Sequence, residues 1–180
     1  GFISDATVEP GAYDAATNSV DVNVRVRDSW SLAFDIKLDH KGGETEWGLG
    51  LSDENLFGTG KTLEFVYESE IDRDHTAIGY IDRNVLGSRV RLRTSFANAS
   101  DGERHQFSME RPFYALDTRW ALGGSIHDET RVDTMYDRGE EIDEFGHEID
   151  QLTLQGGWSR GLTGRRAHRW LAGVAYDEHT

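Results

Sequence analysis

One segment carries the residue types of a nucleotide-binding loop. Asn55-Leu-Phe-Gly-Thr-Gly-Lys-Thr62 ends in a Gly-Lys-Thr that could cradle and neutralise a phosphate. That chemistry requires a Gly where Asn55 stands, and a helix after it whose N-terminus holds the anion. Leu63 to Glu68 instead alternate as a strand does. The segment therefore reads as a turn between two strands, with Gly58 and Gly60 supplying positive φ angles.

Other residue groups carry still less chemistry. Asp128 to Asp150 holds ten acids against two arginines, oxygen ligands that suit a hard divalent cation. No calcium-loop spacing is present, so a solvated external loop is expected over His127 to Glu148. Glu144 and His147 have the spacing of helical metal ligands, but nothing around them predicts a helix. Ser125, His127 and Asp128 are neighbours in sequence, whereas a nucleophilic triad is assembled from distant positions and needs an elbow such as Gly-x-Ser-x-Gly, which does not occur. Asn98-Ala-Ser100 fits a glycosylation sequon and reads as an ordinary loop. No catalytic residue, cofactor site or metal site is expected, and the chain is not expected to be an enzyme.

The composition points to a particular kind of element. There is no Cys, which removes disulfides and thiolate metal sites. Two Pro and 20 Gly suit continuous strands joined by tight turns. Aromatics reach 11%, with five Trp, although mean hydropathy is only −0.62. A sheet with one greasy face and one wet face reconciles those values. A net charge of −14 excludes nucleic acid as a partner, because phosphate contacts need a basic surface. No run of about 18 apolar residues exists for a membrane helix. The beginning at Gly1 and the end just past a strand pattern suggest a piece of something longer.

Period-2 alternation supplies those strands. It runs through Val20, Val22, Val24 and Val26, then Trp30, Leu32, Phe34, Ile36 and Leu38, with a barrel strand expected over Trp30 to Asp39. It resumes at Trp47, Leu49 and Leu51; at Leu63, Phe65 and Tyr67; at Ile78 and Tyr80; and at Val90, Leu92, Thr94 and Phe96. Phe107 with Met109, Trp120 with Leu122, Leu152 to Trp158, and Trp170 to Tyr176 complete the set. Such segments match the roughly 9–11 tilted residues of a membrane-spanning strand. The intervening positions are charged: Glu64 and Glu68 on one strand, Arg89, Arg91 and Arg93 on another, tolerable in a wet lumen and costly against lipid. The connections fall into two sets. Ser52 to Gly60, Asp82 to Ser88, Arg111 to Thr118 and Arg160 to Ala167 read as short periplasmic turns. Asp39 to Thr45, Ser69 to His75, Asn98 to Arg104 and His127 to Glu148 read as polar external loops. A soluble barrel or sandwich would also alternate, and it remains the competing fold.

Three stretches resemble the bacterial barrel assembly and translocation superfamily, the BamA/TamA-like surface antigens. Tyr13 to Trp30 resembles the last strand of a POTRA domain running into the first barrel strand. Gly48 to Gly60 resembles the family's second strand and first periplasmic turn, with Asn55, Leu56, Phe57, Gly58 and Gly60 carrying the turn motif. Met109 to Trp120 resembles a later turn with its Pro-Phe pair. The family's Val-Arg-Gly-Phe motif is absent; Ser159-Arg-Gly-Leu162 is only a partial likeness.

The resemblance implies an all-β, antiparallel transmembrane barrel in the bacterial outer membrane, represented by about nine of sixteen strands. Residues 1–28 would end a POTRA domain, and 29–180 would form the first part of the barrel. It implies contact with outer-membrane lipid, with client β-barrel or secreted proteins, and with periplasmic accessory proteins. The first strand, with Trp30, Leu32, Phe34, Ile36 and Leu38, would be a lateral seam that templates a client strand by β-augmentation. A passive porin-like or adhesin-like barrel is the alternative.

Overall fold

The structure, a computed structural model, describes residues 3–41, 43–71, 73–137 and 140–180. The chain forms two antiparallel sheets. β1 (Ile3–Asp14) and β2 (Ser19–Asp28) make an isolated hairpin. β3 (Leu32–Lys41), β4 (Glu44–Asp53), β5 (Thr62–Ser69), β6 (Asp74–Asp82), β7 (Arg91–Ala99), β8 (Gly102–Arg111), β9 (Trp120–Asp137), β10 (Glu140–Thr163) and β11 (Arg166–His179) make a nine-stranded meander in strict sequence order. The meander is open: β3 and β11 are its two edges, and they do not pair with each other. Helix is confined, among the described residues, to two single-turn 3-10 segments in connections.

Register turns the alternation into two faces. Phe34, Leu51, Phe65, Ile78 and Phe96 fall on one continuous cross-strand row. Thr94, Phe107, Ile126, Leu152 and Tyr176 form the next. On the opposite face, Glu64, Gly79, Ser95, Gln106, His127, Gln151 and Asp177 form a continuous polar row. Successive strand residues point to opposite faces, so neither row mixes with the other.

No large apolar side chain is buried among the described residues, and nothing packs over the apolar face. Phe34, Ile36 and Leu38 are 74%, 75% and 77% exposed. Burying such a side chain stabilises by about 1.5–3 kcal/mol, and here the chain itself supplies no partner surface. The buried residues are polar instead: Thr62, Asp82, Thr118 and Ser159, all beside connections at one end of the sheet. A second sheet or helix layer over Leu63, Phe65 and Leu92, which a soluble fold would need, is absent among the described residues.

Three expectations are corrected, and one strand was not foreseen. The acidic stretch His127 to Glu148 is not a loop. β9 and β10 run on through it, pairing Asp128 with Asp150 and continuing to Asp137 with Glu140. β8 stops at Arg131's partner Gly102, and β11 stops opposite Ile149. The rungs from Val132 outward therefore form a free two-stranded arm, about 20 Å long at ~3.4 Å per residue. Acids fall on both faces there, and Val132, Thr134 and Phe145 stand among them in a ladder whose register shifts once, between Glu141 and Asp143.

The loop-length contrast is reversed apart from that arm. Connections 42–43, 70–73 and 100–101 at the arm's end are shorter than 54–61, 83–90 and 112–119 at the other. The strands consume the polar residues that read as loops.

The expected strand from Trp30 begins at Leu32, and Trp30 precedes it. Finally, Ile3–Asp14 is a strand the alternation does not reveal. Pro10-Gly11 interrupts it, and the register shifts between Pro10 and Tyr13, as at a bulge.

Candidate functional site

The expected seam strand is β3, an edge strand. It pairs with β4 from Leu32–Asp53 to Lys41–Glu44 and, among the described residues, has no strand on its other side. Leu32, Phe34, Ile36 and Leu38 share its apolar face, and Trp30, 83% exposed, stands just before it. An edge of this kind offers a row of backbone donors and acceptors to any strand that aligns with it.

The expected turn motif, Asn55 to Gly60, links β4 to β5 by local hydrogen bonds. The Asn55 amide donates to the Asp53 carboxylate at 2.9 Å, and the Gly60 amide donates to Asn55 Oδ1 at 2.8 Å. Gly58 and Gly60 have φ values of 74° and 68°, as a turn requires. The segment enters strand β5 rather than a helix, so the geometry of a phosphate-binding loop is not there.

Sequence reasoning missed that the turn occurs twice. Asp82-Arg-Asn-Val-Leu-Gly-Ser88 repeats three of the backbone-amide bonds of Asp53-Glu-Asn-Leu-Phe-Gly-Thr59. Asn84 donates to Asp82 at 2.9 Å, Gly87 to the Asn84 carbonyl at 2.8 Å, and Ser88 to the Val85 carbonyl at 3.0 Å. Each copy holds a bulky apolar residue in the left-handed region, Phe57 and Leu86, both at φ 52°. Each points it into open space, 92% and 101% exposed. The Asp-x-Asn-x-x-Gly-Thr/Ser spacing was the available signal.

The third turn, Pro112 to Arg119, splits its aromatic pair between the two faces. Phe113 lies over Gly157 on the polar face; a Cβ there would meet the Phe113 ring at 2.6 Å, so only glycine fits. Arg169 sits 5.0 Å from the centre of that ring and donates to the Ala115 carbonyl at 3.0 Å. Tyr114 goes to the apolar side, where Arg111 is 5.0 Å from its ring and 3.7 Å from that of Trp120.

Of the five expected inner-face charges, four lie on the polar face. Glu68 is 3.6 Å from Lys37 and 3.7 Å from His75. Glu64 faces Gly79, Arg91 is 3.6 Å from Glu110, and Arg93 stands opposite Ser108. Arg89 does not join them. β7 starts only at Arg91, and Arg89 turns its guanidinium over Tyr114 at 5.2 Å. The alternation is broken by the preceding turn, which fixes Arg89 independently of strand parity. The polar face continues along the arm: His127 to Glu129 at 3.3 Å, Arg131 to Asp133 at 2.8 Å, and His147 to Asp133 at 3.2 Å. At its other side, Lys37 bonds Glu70 at 2.7 Å, and that cation holds the Glu70 carboxyl below the usual glutamate range. Ser125, His127 and Asp128 do not converge. Ser125 and His127 share the polar face, and Asp128 points to the other. No group of three or more ligating side chains could hold a metal ion among the described residues, Glu144 and His147 included.

No family model matches the chain. No curated protein sequence matches it either. Among solved structures it is similar to BamA from Haemophilus ducreyi lacking POTRA domains 1–3, with a TM-score of 0.50 at 10% identity. The match covers 98% of this chain and 40% of that one, so the chain spans well under half the length of the structure it resembles. At that identity the likeness concerns fold alone, and the fold it supports is an all-β, antiparallel sheet of the BamA barrel type.

Proposed function

We propose that the chain is part of the wall of a bacterial outer-membrane β-barrel that inserts or translocates other proteins. In this reading the apolar face lies against hydrocarbon and the polar face lines a watery interior. The observation that carries it is the absence, among the described residues, of any buried apolar core alongside two cleanly separated faces. The described strands β4 to β8, of 8 to 10 residues, have about the length such a crossing needs. The free arm of β9 and β10 belongs on the outside, where such barrels carry their long excursions, and the three ordered turns then face the periplasm. The hairpin of β1 and β2 stands on that same side as the end of a POTRA domain.

The work of this protein is physical, with no bond chemistry. β3 is the lateral seam: its free edge templates a client strand by backbone hydrogen bonding. Apolar residues beside the seam thin the nearby lipid through mismatch. Clients are β-barrel or secreted proteins, and periplasmic accessory proteins meet the turn side. Support comes from the edge position of β3 and from the likeness to BamA. Single cysteines along residues 32–39 of the intact protein should crosslink to clients arrested during assembly, and cysteines at 92–96 in β7 should not. Equal crosslinking at both places would leave a passive barrel as the better description.

A further inference from the structure

We propose that the outer face at the turn end carries a binding site for one anionic glycerophospholipid, built by Arg89, Arg111, Tyr114 and Trp120 above an apolar groove. The inference deepens the membrane reading and rests on it.

The groove is one of absent side chains. Met109, Gly124 and Leu154 lie on one cross-strand row, and Arg111, Leu122 and Gly156 on the next. Gly124 lies in a trough of about 290 Å³ bordered by Val90, Met109, Trp120, Leu122 and Leu154. It suits a hydrocarbon chain. Its upper end is marked by Trp120, Trp158 and Trp170, which pair across β9, β10 and β11 as a row of indoles. Indoles favour the headgroup level of a bilayer, so the trough runs from that level toward the middle.

Two cations stand at the headgroup end. Arg111 donates to the Trp120 carbonyl at 2.5 Å and to Tyr114 Oη at 3.2 Å, which holds its plane over the indole. Arg89 approaches the same Tyr114 ring. Neither arginine has a carboxylate partner among the described residues, although the chain carries a net charge of −14. Arg91, two residues from Arg89, is matched to Glu110 on the other face. A guanidinium has five N–H donors in a fork that fits phosphate, and Arg111 uses two nitrogens within the protein. Cation at the headgroup level and trough toward the midplane reproduce the polarity of a phospholipid, which is the charge complementarity that selects this occupant over an apolar peptide.

The test uses the intact protein, refolded in neutral detergent and titrated with short-chain phosphatidylglycerol or phosphatidylcholine, with bound lipids counted by native mass spectrometry. Phosphatidylglycerol should bind about tenfold more tightly, and Arg111→Gln with Arg89→Gln should remove the preference. Gly124→Leu should weaken both lipids by filling the trough without touching the charge. Arg104→Gln, on the polar face, should change nothing. Heat-modifiable migration on gels reports that each variant is folded. Equal binding of the two lipids, or an unchanged preference in the double variant, overturns the site. A protein that inserts into phosphatidylcholine bilayers but shows no preference sinks this proposal alone; one that fails to insert into any bilayer sinks the membrane reading as well.

Discussion

Thr153 and Leu154 are neighbours on β10 and sit at nearly the same depth, yet face opposite ways. Leu154 pairs with Gly124 and Val174 on the apolar side and is 52% exposed. Thr153 pairs with Ser125 and Ala175 on the polar side. Placing arginine at each isolates the environment from strand, depth and residue type. An arginine facing lipid near the midplane costs about 2–4 kcal/mol, whereas one facing a wet interior costs little. At 1.4 kcal/mol per tenfold, Leu154→Arg should lower the folding equilibrium constant by about 30- to 700-fold. Thr153→Arg should change it by less than about threefold. Urea titration of the intact protein folded into phosphatidylcholine vesicles, followed by tryptophan fluorescence, measures both. Equal destabilisation by the two variants, or a neutral Leu154→Arg, would refute the assignment of faces.

Three further outcomes follow from the turns and rims. Phe57→Gly and Leu86→Gly relieve a left-handed conformation that costs about 1–2 kcal/mol, against about 0.5–1 kcal/mol of added chain entropy. Each should therefore leave stability in the same urea titration unchanged or slightly raised, and a clear loss would show that these tips make contacts the fold needs. Gly157→Leu should destabilise by about 1–3 kcal/mol through overpacking against Phe113, and Phe113→Ala in the same chain should restore part of it. Glu70 has a depressed pKa, so its pairing with Lys37 contributes stability above the ordinary glutamate value and loses it as pH falls through the folded one. Glu70→Gln should flatten the acid limb of the stability profile at low salt and leave neutral pH little changed, since more than a third of each side chain is exposed and the pair is screened.

The strand positions were legible because a period of two is a direct imprint of a two-faced sheet. Phe34, Leu51, Phe65 and Ile78 fall on one row as their spacing implies. Where the imprint is weak, reading failed for physical reasons. β1 contains Pro10-Gly11 and a register shift, so its apolar residues do not recur at regular places. The arm from Val132 to Phe145 has acids on both faces, which resembles a solvated loop because no surface selects one face. Arg89 was misplaced because strand parity was extended through a turn that resets it. The cluster of Arg111, Tyr114 and Trp120 was out of reach. It depends on β8 and β9 lying side by side and on how Pro112 to Arg119 folds between them.

The most direct test of the two-faced assignment is a fluorophore scan along β10. This chain has no cysteine, so single cysteines at residues 151 to 158 can be labelled without competition from a native thiol within it. With the intact protein in vesicles containing brominated lipid, quenching should alternate: strong at Leu152, Leu154, Gly156 and Trp158, weak at Gln151, Thr153, Gln155 and Gly157. Uniform quenching along the strand, or none at any position, would contradict the claim that one face touches hydrocarbon and the other touches water.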